Sequence, residues 1–174
     1  MVRLIDRFVK DSPPNVLTPS RENFIPDCIE GCSAVALAAN EDERGWLVEL
    51  LTTRDHPTWP IVHTYQVFAR AGSLRGWVYH DRQFDRLAFT AGHFRVVLHD
   101  LREESPTFGK TNTVMAGEDR MALLTIAPFV AHCVENVGDA TACFVNMPTR
   151  AYDPGDPDKF RLPVSAGLIP YPGR

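Results

Sequence analysis

Three stretches of the sequence gather side chains capable of chemistry. The first is Arg75-Gly76-Trp77-Val78-Tyr79-His80, with Gln83 and Arg86 close behind. A guanidinium there could fork onto two phosphate oxygens, an imidazole could move a proton, and an amide could fix a hydroxyl. The second is Pro128-Phe129-Val130-Ala131-His132, followed by Asn136. The third is Asp42-Glu43-Arg44-Gly45-Trp46-Leu47-Val48-Glu49, in which Arg44 and Glu49 flank the start of an apolar strand. His56, His63, His93 and His99 fall in no recognisable spacing. A solitary strand histidine is more often a packed or surface residue than a catalyst. His80 and His132 stand apart from these four.

Short strands must position these groups. Runs at 33–39, 46–53, 61–70, 86–90, 93–99, 121–126 and 141–146 are rich in Val, Leu, Phe and Thr. They are divided by Gly72, Gly92, Gly109, Gly117 and Gly138, and no stretch keeps a helical apolar period for three turns without Gly or Pro. Many short strands with glycine turns predict an all-β sandwich or barrel. In a regular strand over 75–80, Arg75, Trp77 and Tyr79 face one way while Gly76, Val78 and His80 face the other. A single bulge would break that parity. The ligand pocket is expected to centre on this segment.

Residues 1–27 hold Pro13, Pro14, Pro19 and Pro26 and read as an arm over the domain or a partner subunit, leaving 28–174 as the domain proper. Residues 148–174 are rich in Asp-Pro units, which break helix and ladder alike. Turns and short edge segments are expected there, with the acidic portion a solvated loop.

At 174 residues the chain is about one domain long. The net charge of -4, mixed along the chain, leaves no basic stripe for nucleic acid. No apolar run reaches the roughly 18–20 residues that span a bilayer. Residues 1–10 lack the apolar core of a signal peptide, so a cytoplasmic location is expected. Cys28, Cys32, Cys133 and Cys143 then read as free thiols in a reducing compartment.

The spacing of Gly72, His80, Gln83 and Gly92, followed by Pro128, His132 and Asn136, resembles the two-motif signature of cupins. Within cupins the chain resembles the dTDP-4-dehydrorhamnose 3,5-epimerase family from about residue 42 to residue 158. Four segments carry the resemblance in order: residues 42–49, Ser73-Leu74-Arg75-Gly76, residues 100–109 (Asp100 through Gly109) and residues 128–132. It implies a cupin-type jelly-roll, a double-stranded β-helix barrel with irregular N- and C-terminal arms. It also implies an isomerase acting on a nucleotide-linked 4-keto-6-deoxyhexose, with no cofactor. Residue by residue, Arg44 and Glu49 would help hold the nucleotide across a homodimer interface, Arg75 would contact the diphosphate, and His132 would line the same site.

The family abstracts a proton beside the ketone with a histidine whose position here is Val78, which cannot accept a proton. Its lysine near the ketone aligns with Arg86, and its proton-donating tyrosine with Asn146. A related group of cupins carries G-W-H-x-H-x-x-Q-x-D-R-L and an N-x-P-T-x-x-Y-D-P tail. This chain resembles that group more closely through residues 76–87 and 146–163, with Asn146 part of its pattern and Val78 still a departure.

Three functions follow. One is an isomerase with His80 as a relocated base, about 6.5–7 Å along the strand from position 78, assisted by Tyr79 or Arg86, with Gln83, His132 and Asn146 contacting substrate. Another is a non-catalytic nucleotide-sugar-binding or scaffold protein that keeps the grip of Arg44, Glu49 and Arg75. The third is a metal-dependent cupin using His80, Gln83 and His132, although two imidazoles and an amide make a poor ligand set.

Overall fold

A computed structural model describes residues 4–10, 22–54, 58 and 60–172. Twelve strands follow one another: β1 (Ser33–Ala36), β2 (Ala39–Asp42), β3 (Gly45–Val48), β4 (Tyr65–Ala69), β5 (Leu74–Tyr79) and β6 (Asp85–Phe89), then β7 (His93–Asp100), β8 (Thr111–Gly117), β9 (Ala122–Ile126), β10 (Val130–Asn136), β11 (Ala142–Asn146) and β12 (Phe160–Arg161). Ten of them form two five-stranded sheets, in the orders β1-β9-β6-β11-β4 and β12-β5-β10-β7-β8, while β2 and β3 make a separate hairpin. Every pairing is antiparallel. This is the expected jelly-roll.

The two sheets meet through inward side chains. Phe89 and Phe144 of the first sheet and Phe94 of the second pack at ring-centroid distances of 5.0–5.7 Å, joined by Val96, Leu98, Leu124 and Ile126. A two-residue period along each strand makes this possible, because alternate side chains reach the same face. The outer faces are covered separately. Trp77, Val97 and Cys133 of the second sheet lie under Ile169 and Tyr171, whereas Ala88 and Leu123 of the first lie with Met147 against Leu37, Leu50 and Leu51.

The strand expectation is met at residues 33–36, 65–69, 86–89, 93–99, 122–126 and 142–146. The expected run at 46–53 ends at Val48, and the run at 61–70 begins its ladder only at Tyr65. β8 and β10 lie outside the expected runs. β8 exposes Met115 on its outer face and turns Asn112 inward, and β10 is buried on both faces apart from half-buried Glu135, so neither shows clean apolar alternation.

Of the proposed arm, residues 1–3 and 11–21 lie outside the described residues, as does His56. Where it is described, the arm's end is stitched to the barrel. Phe24 N–H donates to the Ala34 carbonyl at 2.9 Å, and the Asn23 side chain accepts from the Ile25 and Ala34 amides at 3.1 and 2.9 Å. The tail supplies a short edge segment, as expected: β12 adds to the edge of β5, pairing Phe160 with Tyr79 and Arg161 with Val78. Among the described residues no helix is long and apolar enough to cross a membrane, and the four cysteines are free.

Candidate functional site

The polar end of the barrel interior is hollow. An inner cavity of about 430 Å³ is lined by Arg75, Val78, His80, Asp85, His132 and Asn146, among others. It shares Tyr65, His80, Lys159 and Arg161 with an outer cavity of about 500 Å³ walled by His63, Gln83 and the Asp-Pro tail. Both lie in the size range of small-molecule sites.

Local irregularity in β5 decides what faces the cavity. On β10, His132 opposes Val78 and Val134 opposes Arg75, so β5 carries one extra residue between these pairs. That bulge reverses parity. Arg75 therefore joins Val78 and His80 at the cavity, and Trp77 is buried on the outer face. Gly76 sits at the bulge with φ +147, and a Cβ there would collide with Cys133. Only glycine suits that backbone.

At the floor of the cavity, Asp85 from β6 meets His132 of β10 in the opposite sheet and His80, which directly follows β5. Its Oδ2 lies 3.2 Å from His80 Nε2 and 3.5 Å from His132 Nε2, while Oδ1 accepts from Gln83 Nε2 at 2.9 Å. All four residues are buried. Burial opposes ionisation of Asp85, yet the hydrogen bonds and charges of His132 and His80 overturn it and hold the carboxyl far below the usual range. Burial likewise opposes charge on His80, but Asp85 and the Asp158 carbonyl outweigh it and raise the pKa. That carbonyl, against His80 Nδ1, can only accept. Nδ1 therefore carries a proton, and Nε2 is the atom whose proton can move.

The tail builds one wall. The Asp158 carboxylate accepts from the backbone amides of Asp81, Arg82 and Gln83 at 2.9, 3.2 and 3.0 Å, and Asp156 takes the Arg82 guanidinium at 2.6 Å. Lys159 and Arg161 are thereby carried to the cavity beside Arg75. Burial first, and then the charges of Arg161 and Arg75, depress the Lys159 pKa. Asn146 donates through Nδ2 to the Tyr65 hydroxyl at 2.8 Å, and its own Oδ1 is buried without a partner among the described residues.

The expected site residues divide into three groups. His80, Arg75, Gln83, His132 and Asn146 are brought to one cavity system. Tyr79 and Arg86 are not. Tyr79 stacks on Phe160 at 4.7 Å and on Phe129 at 5.9 Å. Arg86 is fully buried, donating to the carbonyls of Met147 at 2.6 Å and Pro60 at 3.0 Å. It leaves the cavity because Asp85 and Leu87 hold the inward positions of β6 and residue 86 alternates away from them. Arg44 and Glu49 form the third group. They lie in or just beyond the exposed β2–β3 hairpin, Arg44 paired with Asp42 and Glu49 with Arg54 at 2.7 Å, and neither lines the cavity of its own chain.

Asp85, Tyr65, His63, Lys159 and Arg161 are the residues that sequence reasoning left unassigned. His63 falls in no recognisable spacing, yet its ring lies 5.3 Å from that of Tyr65 at the outer cavity. The segment at residues 100–109 proves architectural. Asp100, buried, accepts from Arg102 Nε at 2.7 Å, Ser105 at 2.7 Å and Thr107 at 2.6 Å. Asn136 is likewise spent on the backbone of Ala69, Ala140 and Gly138.

A family model described as dTDP-4-dehydrorhamnose 3,5-epimerase matches residues 27–165. The chain is 33% identical over 135 residues to the spore coat polysaccharide biosynthesis protein SpsL of Bacillus subtilis, covering 78% of this chain and 89% of that one. A solved dTDP sugar isomerase from Desulfovibrio desulfuricans G20 superposes with a TM-score of 0.76 at 28% identity, covering 82% and 90% of the two chains. The dTDP-6-deoxy-D-glucose-3,5-epimerase of Legionella pneumophila, solved with dTDP-4-keto-L-rhamnose, gives 0.70 at 25% identity over 79% and 76%.

Proposed function

The chain belongs to the dTDP-4-dehydrorhamnose 3,5-epimerase family, and from that membership we propose that it binds a nucleotide-linked 4-keto-6-deoxy sugar and isomerises it by proton transfer beside the ketone. The observation that carries this reading is the buried Asp85 between His80 and His132 at the floor of a cavity rimmed by Arg75, Lys159 and Arg161. A cationic rim suits a diphosphate, since guanidinium and ammonium groups make charge-assisted bonds to its oxygens. The sugar then reaches inward to the histidines.

In the neutral ring, His80 keeps its Nδ1 proton on the Asp158 carbonyl and offers the Nε2 lone pair to a carbon-bound proton. Asp85 Oδ2, 3.2 Å from that same Nε2, accepts its hydrogen bond once the imidazolium forms and stabilises the charge, while the Asp158 carbonyl orients the ring through Nδ1. His132 shares the same carboxylate from the neighbouring strand. Gln83 fixes Asp85 in its rotamer, and the free Oδ1 of Asn146 accepts a sugar hydroxyl. Arg44 and Glu49 serve the nucleotide bound by a second copy of the chain, and the exposed Trp46 and Leu47 of the same hairpin supply apolar contact for that homodimer. Deuterium exchange from solvent into a dTDP-4-keto-6-deoxyhexose tests the reading. Exchange is expected with the parent protein and lost with His80→Asn. Binding of dTDP in calorimetry without any exchange would instead favour a carrier or scaffold.

A second reading rests on the same three residues. His80, Asp85 and His132 each offer a ligand atom, all within 4.8 Å of one another. Two imidazoles and a carboxylate form a ligand set used by divalent transition metals. Asp85 replaces Gln83 in the set expected from sequence, which removes the objection of a weak amide ligand. Stoichiometric metal in the purified protein, and loss of exchange on chelation, would favour this reading over metal-free proton transfer.

A further inference from the structure

Proton transfer that inverts a carbon needs two groups on opposite sides of the substrate, one to take a proton and one to give it. The histidines at the cavity floor come from β5–β6 and β10, so a donor must come from elsewhere. Resting on the isomerase reading above, we infer that Tyr65 is the catalytic proton donor, delivering its phenolic proton to the substrate carbon from the side of the cavity away from His80 and His132.

Position is the first argument. Tyr65 opens β4, the edge strand of the first sheet, and its direct cross-strand partner is Asn146 on β11, which in turn opposes Leu87 on β6. Directly paired residues project to the same side of a sheet, so Tyr65, Asn146 and Leu87 form one inward row, with Asp85 two residues farther along β6. Two strand spacings, roughly 9–10 Å, separate the β6 and β4 ends of that row. Asn146 fills the middle of that row, so the row as a whole lines the first-sheet side of the inner cavity, and His80 and His132 line it from the side of the second sheet.

Orientation is the second. Asn146 Nδ2 donates to the Tyr65 hydroxyl at 2.8 Å, and no acceptor takes the hydroxyl proton among the described residues. The amide thus fixes the phenol by one lone pair and leaves its proton for a ligand. The His63 ring, 5.3 Å away and tilted by 55°, supports the other side of the phenol. Proton retention is the third. Desolvation, followed by the nearby Asp85 charge, raises the Tyr65 pKa, so the phenol is held protonated until a carbanion approaches. Tyr65 is also 38% exposed at the outer cavity, which gives the phenolate a route to recover a proton from water.

The balance closes without a further reactant. The base takes the proton from the carbon beside the ketone, and the electron pair moves to form an enolate. As the carbonyl re-forms, the enolate carbon takes the phenolic proton, so one C–H bond forms and the O–H bond breaks. Solvent returns a proton to Tyr65 and removes one from the base, leaving substrate and product as isomers.

The test follows dTDP-4-keto-6-deoxyglucose in D₂O by NMR, scoring deuterium at the carbons beside the ketone and, separately, inverted product. Tyr65→Phe keeps the ring and removes only the hydroxyl. It is expected to retain deuterium wash-in on the base side while forming inverted product at least 100-fold more slowly. The double variant Tyr65→Phe with Asn146→Tyr returns a phenol to the paired strand position and is expected to regain at least tenfold of the lost rate. Parent-like product formation by Tyr65→Phe, or loss of exchange together with product, overturns the assignment of Tyr65 alone. A parent protein that neither exchanges nor inverts overturns the isomerase reading and this inference with it.

Discussion

The two ends of the barrel interior are built on the same strands yet hold opposite chemistry. Along β6 the inward positions run Asp85, Leu87, Phe89; along β11 they run Asn146, Phe144; along β4 they run Tyr65, Val67, Ala69. In each case four residues or fewer carry the strand from the cavity to the apolar core. At the core end, Phe89, Phe94 and Ala122 have no appreciable exposure. At the cavity end a carboxylate and two imidazoles are buried together. Burying polar groups costs free energy unless they are paired, and here Asp85, His80, His132 and Gln83 compensate one another. The fold thus concentrates its stability at one end, and the other end carries charge that packing alone would not select.

That contrast can be broken most forcefully at the core. Phe89→Ala removes a ring held between Phe94 and Phe144 and is expected to lower unfolding free energy by about 3–5 kcal/mol, read by denaturant titration. Stability loss well below that would show that the core is not the stabilising half. Arg75→Ala acts at the opposite end. Its guanidinium is exposed to the cavity and among the described residues makes one hydrogen bond, to the Phe68 carbonyl at 3.2 Å, so the melting temperature should hold while dTDP binding weakens about ten- to hundredfold in calorimetry.

The pH response sharpens the contrast further, because one group moves stability and activity in opposite directions. The raised His80 pKa gives a contribution fully present below the ordinary value of 6.5 and lost as pH rises through the higher folded value. The depressed Asp85 pKa gives a contribution present above the ordinary value of 3.8 and lost only as pH falls through its much lower folded value. Stability of the metal-free protein should therefore hold between these limits and decline as His80 deprotonates. Isomerisation should rise over the same interval, since the base must be neutral. Denaturant midpoints and exchange rates measured across that interval check both signs. Smallest of all, Arg44→Ala should leave the melting temperature of the isolated chain unchanged, because its pair with Asp42 is exposed. A change confined to dimer dissociation, seen in sedimentation, would mark the hairpin as an intersubunit element.

Much of this architecture is legible in the sequence, and the illegible parts share a cause. The glycine-punctuated β runs announce the barrel, and His80, His132 and Arg75 are visible as residues of unusual spacing. Asp85 is not, because residues 85 and 86 are adjacent at a strand start and a shift of one position exchanges which of them faces the cavity. The bulge at Gly76 hides Arg75's true face in the same way. Tyr65 and Asn146 are 81 residues apart, so their pairing exists only once β4 and β11 join. The tail misleads by composition. Its aspartates suggest solvent, whereas Asp158 spends its oxygens on three backbone amides within the fold.

The strap formed by residues 156–161 has a consequence for synthesis and turnover. Asp158, Lys159 and Arg161 follow every other cavity residue along the chain, so during vectorial translation the apolar half can assemble before the ligand site has a wall. Protease cleavage within the Asp-Pro loop would separate Lys159 and Arg161 covalently from the barrel while leaving the aromatic core intact. Were the cut piece then to leave the edge of β5, the molecule would lose two of the three cations at its rim together with the Ile169 and Tyr171 cover over Trp77, yet keep the aromatic core between its sheets. Fold and binding capacity thus age at different rates in one polypeptide.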